Sequence, residues 1–246
     1  MGEKKKPLLF RMAWKIAKSC MKGYTTLNTE NVPGVPSVVV SNHCQLYGPL
    51  VVQYYIERPT TAWCTYEVTE LKEVPEYAYT DFWAHKPKCT RWFYRILSYI
   101  VAPISAFIFH NADIVPVYKD MRILKTFKQS IEKLEEGRNL HIFPECPNDY
   151  NNIINEFQER FIDLAKFYYT RTKKLLSFVP MYIAPKIKTI IYGKPIEYNP
   201  ENNPGEERSR ICKYLADQIT ELAKSLPQHV VVPYINMQKK DYPLSK

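Results

Sequence analysis

Glycine is scarce in this sequence: seven in 246 residues, against nineteen prolines and nineteen tyrosines. That balance points to stiff loops and many half-wet aromatic surfaces, as at an interface. There is no internal repeat and no low-complexity tract. The six cysteines, at positions 20, 44, 64, 89, 146 and 212, include no Cys-x-x-Cys pair. This argues against a disulfide framework and a structural zinc site, and a reducing cytosol is the plain reading. No apolar run reaches the roughly 20 residues that span a bilayer. The longest, Ile96 to Phe109, has fourteen residues with Pro103 inside it. It reads as a buried helix, with a membrane-dipping segment as the alternative.

Acidic residues are nearly absent from the start of the chain. Lys4, Lys5, Lys6, Arg11, Lys15, Lys18 and Lys22 give seven positive charges in the first 22 residues, against Glu3 alone. Seven minus one is +6, so of the net +9 only +3 is left for the other 224 residues. A broad nucleic-acid face is excluded by that distribution. A secretory signal is not expected either, because Arg11, Lys15 and Lys18 interrupt its apolar core. With 46% hydrophobic and 24% charged residues, the composition is that of a folded globular chain.

Residues 8 to 22 read as an amphipathic helix. Leu8, Leu9, Met12, Ile16 and Cys20 recur on one face with Trp14 nearby, and Arg11, Lys15, Lys18 and Lys22 on another. Such a helix can lie in a headgroup layer with its ammonium groups toward anionic phosphates, so residues 1–24 form a candidate membrane-surface element. Beyond it, Val38-Val39-Val40 and residues 61–66, 113–118, 139–143, 177–183 and 187–192 read as strands. Between them lie two helical stripes, Leu124, Phe127, Ile131, Leu134 and Phe157, Phe161, Leu164, Tyr168. A last helix carries Ile211, Leu215, Ile219 and Leu222, with Asn203 as its cap, Pro204, Glu206 and Glu207 in its first turn, and Pro227 past its end. Strands alternating with helices predict a single α/β domain over 25–246, its largely parallel central sheet flanked by helices.

Four points carry candidate chemistry. His43 closes the first apolar strand, where open α/β sheets collect their sites. Glu145 follows another strand end, in Ile142-Phe143-Pro144-Glu145-Cys146, where a carboxylate can pair with a cation or orient a hydroxyl. Lys119 and Arg122 follow Ile114-Val115-Pro116-Val117-Tyr118, with Lys125 and Lys128 at helical spacing, and can receive a phosphate. Phe178-Val179-Pro180-Met181 is a buried strand without chemistry. Cys44 and Cys146 flank the two site residues; a transient acyl-thioester on one of them and an inert buried thiol are the alternatives. A metal site of His43, Cys44, Glu145 and Cys146 lacks a ligand-spacing signature, and no metal is expected.

The order Ser41-Asn42-His43, Ile114-Val115-Pro116-Val117, Phe143-Pro144-Glu145, Val179-Pro180 and Tyr192-Gly193-Lys194-Pro195-Ile196 resembles the series of blocks of the glycerophosphate and lysophospholipid acyltransferase family (1-acylglycerol-3-phosphate acyltransferase-like), over roughly residues 30 to 226. The resemblance implies acyl transfer from an acyl thioester, acyl-CoA or acyl carrier protein, to the hydroxyl of a lysophospholipid or glycerophosphate-like acceptor. It implies no other cofactor, an anionic membrane surface as partner, and a peripheral place on a cytoplasmic face. His43 is implied as the general base. Glu145 is implied as a catalytic partner, and Lys119, Arg122, Asn42, Pro144 and Cys146 as contacts to the acceptor.

In that family a His and an Asp five positions later form the catalytic pair, the carboxylate fixing the imidazole. Here the fifth position after His43 is Gly48. Lys119 stands where the second block has arginine, and Cys146 where the third has glycine. A carboxylate from Glu145, Asp113 or Asp149, the hydroxyl of Tyr47, or a backbone carbonyl are the candidates to orient His43 instead. The other implied outcome is a non-catalytic lipid-binding or regulatory protein that has lost the pair.

Overall fold

The computed structural model describes residues 6–45, 47–56, 58–83 and 86–246; of Ala13, Ala17, Cys20, Asp81 and Phe82 it describes the backbone. The expectations attached to Glu3, Lys4, Lys5 and the Cys20 side chain lie outside what is described. In chain order the elements are α1 (Leu8–Cys20), β1 (Thr25–Leu27), β2 (Val38–Ser41), α2 (Tyr47–Tyr55), β3 (Thr60–Thr65), α3 (Val74–Ala78), α4 (Arg91–Asn111), β4 (Ile114–Val117), α5 (Ile123–Glu135), β5 (Asn139–Ile142), β6 (Glu145–Tyr150), β7 (Asn155–Phe157), α6 (Asp163–Thr172), β8 (Ser177–Ala184), β9 (Thr189–Tyr192), β10 (Ile196–Glu197) and α7 (Pro204–Ser225). Internal contacts group them into two compact units, Met1–Ser19 with Trp63–Thr126, and Cys20–Ala62 with Phe127–Lys246.

The second unit holds the sheet in the order β1-β9-β8-β2-β5-β3, with β10 beside β8. Strand β2 runs parallel to both β5 and β8, β3 parallel to β5, and β1 parallel to β9, while β8 meets β9 and β10 antiparallel. Every residue of β2, β5 and β8 is buried. Strands covered on both faces read as continuous apolar runs, which is why these three were visible in the sequence. The expected α/β architecture with a largely parallel sheet is therefore present. Helix α7 begins as expected: the Asn203 side chain accepts from the Gly205 amide at 2.8 Å, and Pro204 follows it. Gly193, in the Tyr192–Ile196 block, has a packing reason. Its amide donates to Pro180 O at 2.8 Å, and a Cβ there would stand 2.9 Å from Pro180 Cγ and 3.2 Å from Leu222 Cδ1.

Two expectations need correction. The stripe Phe157, Phe161, Leu164, Tyr168 is not one helix: Phe157 ends β7, Phe161 lies in a 3-10 turn, and only the last two are in α6. All four side chains are buried, so the burial was legible although the period was not. The apolar stretch Ile96–Phe109 is not a core helix. It is the larger part of α4, a 21-residue helix in the first unit that buries only Ser98 and Ala102. Trp92, Phe93, Ile96, Tyr99, Ile100 and Ile104 are exposed. Among the described residues, Lys88–Asn111 is the one helical stretch long and apolar enough to cross a membrane. The first unit also contains β4, which is hydrogen-bonded beside β3, the strand whose Trp63–Thr65 end belongs to this unit.

Helix α1 has the two faces expected of it, with the apolar one outward. Leu8, Leu9, Met12 and Ile16 are exposed, while Phe10 is buried and stacks on Trp14 at 5.3 Å between ring centroids.

Candidate active site

The site lies in the second unit, at the carboxyl ends of β2 and β5. In-register pairing sets Val39 beside His141. Side chains alternate along a strand, so Ser37, Val39 and Ser41 share a face with Asn139, His141 and Phe143. A ladder of polar contacts climbs along the two strands and past their carboxyl ends. The Ser37 amide donates to Asn139 Oδ1 at 3.0 Å, Ser41 Oγ meets His141 Nε2 at 2.8 Å, and the His43 amide donates to Glu145 Oε1 at 2.7 Å.

Glu145 thus meets His43 through the main chain. Its second oxygen accepts from the Asn155 amide at 2.8 Å, which ties the loop after β2 to the β6–β7 hairpin. The carboxyl group is buried, and that burial pushes its pKa up to about 7, although both amide bonds pull the other way.

The His43 ring is clasped between Phe143, at 4.9 Å, and the edge of Tyr234, at 5.5 Å between centroids. Its Nδ1 is buried and has no side-chain hydrogen-bond partner among the described residues. Burial lowers its pKa to about 4, opposed by the backbone at Gln45 and at His43 itself. None of the carboxylates considered in place of the missing aspartate bonds to the ring. Glu145 is engaged with the two amides, Asp113 pairs with Lys6 at 3.2 Å in the first unit, and Asp149 is exposed on β6.

Gly48 explains why position 48 carries no carboxylate. A Cβ on it would lie 2.2 Å from the His43 carbonyl oxygen and 3.0 Å from Phe143 Cε1. The loop that brings α2 down onto the His43 carbonyl has Cys44 and Gln45 at φ 38° and 54°. No side chain fits at Gly48 while this loop is in place.

The remaining sequence candidates fall into two groups. Asn42 is buried beside His43, where its amide donates to Ile183 O at 3.0 Å and accepts from Ile183 N at 2.8 Å. It fastens β2 to β8. The Pro144 carbonyl accepts from the Gln158 amide at 2.8 Å, and the Cys146 thiol contacts Glu156 O at 3.3 Å. Burial raises the thiol pKa of both Cys44 and Cys146, the wrong direction for a nucleophilic thiolate. Lys119 and Arg122 lie in the first unit. Lys119 faces Glu67 at 3.7 Å. Arg122 is bound to both oxygens of Asp120, and its guanidinium lies over Tyr66 and Tyr118 at 4.8 and 4.6 Å. Among the described residues, no three His, Cys, Asp or Glu side chains gather as a metal site.

No protein-family model matches the chain, and no curated protein matches it. Among solved structures it is similar to the 1-acyl-sn-glycerophosphate (LPA) acyltransferase PlsC from Thermotoga maritima, with 14% identity over 87% of this chain and 79% of that one, at a TM-score of 0.49. The α/β fold of the present chain stands on its own strand pairings.

His141, Tyr234 and Tyr242 belong to this neighbourhood and were not singled out from the sequence. His141 was hidden inside an all-buried strand. Tyr234 and Tyr242 come from a segment after α7 that folds back on itself through a Val230–Leu244 bridge. Tyr242 OH accepts from Gln45 Nε2 at 3.0 Å.

The buried ionisable groups make stability pH-dependent. Burial depresses His43 to about 4 and His141 to about 3 from an ordinary 6.5, so below pH 6.5 the unfolded chain binds protons that the folded chain refuses. Glu145 opposes them, because between its ordinary 4.5 and about 7 the folded chain holds a proton that the unfolded chain lacks. Two histidines against one carboxyl leave a net of one proton, so stability falls by about 1.4 kcal/mol per pH unit on acidification between about pH 6.5 and 4.5. Urea unfolding at pH 6.5 and 5.0 is expected to differ by about 2 kcal/mol, and more steeply in Glu145→Gln. Equal stability at the two pH values would contradict the buried neutral state of the two imidazoles.

Proposed function

We propose that this protein is a membrane-associated acyltransferase that moves a fatty acyl group from acyl-CoA or acyl carrier protein to a hydroxyl of a lysophospholipid or glycerophosphate-like acceptor. The observation that carries the reading is His43: an imidazole at the carboxyl end of the central parallel strand, kept neutral at pH 7, its main chain clamped by the buried Glu145. A neutral imidazole can take the proton of an attacking hydroxyl, which then adds to the thioester carbonyl and expels the thiolate. Glu145 acts in this scheme through the backbone of His43, as a positioning residue. Asn42, Pro144 and Cys146 hold the surrounding loop, and Lys119 and Arg122 are proposed as phosphate contacts on their charge alone. The ordered sequence blocks support the same chemistry.

Transfer of a labelled acyl chain to a panel of lysolipids and glycerol phosphate, on vesicles containing anionic lipid, tests this. His43→Ala is expected to lower the rate about 10³-fold. Undiminished product from that variant would remove His43 from the mechanism.

One observation favours a second reading, a non-catalytic lipid-binding protein: none of Glu145, Asp113 and Asp149 bonds to the His43 ring. Vesicle binding without product, across the panel and with the native chain, would decide for it.

Lipid contact is supported in both readings by the exposed apolar faces of α1 and α4. Helix α4 contains no acidic residue, and its only lysine or arginine side chains are Arg91 and Arg95, near its amino end. The pattern suits an element lying in the headgroup region. Ile100→Asp combined with Leu9→Asp is expected to weaken flotation with anionic vesicles at least about tenfold. Unchanged flotation would place the lipid contact elsewhere.

A further inference from the structure

Glu145 holds the main chain of His43, which leaves the ring free to turn about its side-chain bonds. A base must present one nitrogen to the attacking hydroxyl in a fixed direction, and a misplacement of about 1 Å costs about 10²-fold in rate. What touches this ring is aromatic. His141, Phe143, His43 and Tyr234 stand in a column, successive centroids 4.6, 4.9 and 5.5 Å apart and successive planes inclined at 44°, 58° and 67°. Tilted rings at such separations attract one another. Both ends of the column are fixed. His141 is fully buried, and its Nε2 meets Ser41 Oγ at 2.8 Å. Tyr234 follows Val231, Val232 and Pro233, all buried, in a segment that closes on itself. There the Val231 amide donates to Pro243 O at 2.9 Å, the Ser245 amide donates to His229 O at 3.0 Å, and His229 Nε2 meets Tyr182 OH at 2.9 Å. The same segment returns through Tyr242 to bond Gln45, so it holds both the ring of His43 and the loop beyond it.

Gly48 belongs to this arrangement. A Cβ there would lie 3.0 Å from Phe143 Cε1, so a side chain at position 48 and the Phe143 ring compete for one place. We propose that Tyr234 is a positioning residue for His43, pressing the imidazole against Phe143 and supplying by contact the orientation that a carboxylate at position 48 would supply by a hydrogen bond. Contact between rings fixes the plane of the imidazole and leaves its two nitrogens unassigned, whereas a carboxylate fixes the tautomer as well. The inference deepens the reading of His43 as general base and rests on it. It also gives the empty position 48 a meaning other than lost activity: the ring took the room.

The test uses three variants of the full chain. Tyr234→Ala is expected to lower kcat about 10²-fold and to leave the KM of both substrates within about threefold, because the base and not a substrate contact is disturbed. Tyr234→Phe keeps the ring and is expected to keep kcat within about twofold. Tyr234→Leu fills the space without a ring, so it retains the fold should the alanine variant not, and it is expected to be slowed about tenfold. A second readout needs no turnover. In the native protein, nuclear Overhauser contacts are expected from the His43 ring protons to the rings of both Phe143 and Tyr234. In Tyr234→Leu the contact to Phe143 is expected to fall to about half or less, because an imidazole released on one side explores other rotamers. A raised KM with native kcat would make Tyr234 a substrate contact and overturn the assignment. So would a Tyr234→Phe protein as slow as Tyr234→Ala, or an undiminished contact to Phe143 in Tyr234→Leu. A native chain that transfers no acyl group refutes His43 as base, and the Overhauser contacts then decide the clasp on their own.

Discussion

Gly48→Ala is expected to lose about 3 kcal/mol of stability, an unusually large effect for adding one methyl group. The added carbon meets a backbone oxygen at 2.2 Å, and no rotamer can move that atom away. Relief requires shifting α2 or reopening the loop through Cys44 and Gln45. Gly48→Asp restores the carboxylate of the resembled acyltransferase motif, and it is expected to be still less stable and to gain no acyl transfer. The result runs against the simple expectation from sequence, in which Gly48 is a lost catalytic residue and aspartate a repair. Urea midpoints at constant m-value would measure it. A folded Gly48→Asp protein with the native midpoint and faster turnover would show that the loop adapts and that the motif was only dormant.

Glu145→Ala is the second large effect. The carboxylate accepts from the amides of His43 and Asn155 on different oxygens, and truncation leaves both donors without that partner, the Asn155 amide buried and the His43 amide half-buried. At roughly 1–3 kcal/mol for each orphaned group, the loss is expected to be about 4 kcal/mol. Glu145→Gln keeps one accepting oxygen and is expected to lose about half as much. A residue whose purpose was only to touch substrate would behave differently: its alanine variant would keep native stability and lose turnover alone. Finding that pattern would refute the clamp.

How much of this was legible in the sequence follows from the kind of signal each feature leaves. Val38-Val39-Val40 and Phe178-Val179-Pro180-Met181 were readable because strands buried on both faces are unbroken apolar runs. Helix α7 was readable down to its cap, because Asn203, Pro204 and Pro227 each act locally. The β6–β7 hairpin was not, since Glu145–Tyr150 has almost no apolar alternation. It is held instead by Glu145 and by Asn151, whose side-chain oxygen accepts from Ile153 N at 3.0 Å and Ile154 N at 2.9 Å. The exposure of α4 was missed because a run of fourteen apolar residues carries no mark of which side faces outward. At the site, His43 and Glu145 were found from their strand-end positions. That they meet through the main chain, and that Gly48 is sterically required, depends on a loop geometry no spacing rule encodes.

The placement of β2 has a consequence for the chain while it is being made. Its two neighbours in the sheet are β5, which begins at Asn139, and β8, which begins at Ser177. At about 5–20 residues per second, a ribosome needs roughly 5–20 s to add the hundred residues that separate β2 from its nearer partner. For that interval three consecutive valines have no strand to pair with, and the loop that will carry His43 has nothing to hold it. Whatever shields a bare apolar segment on a nascent chain has its work at the very residues that later form the site.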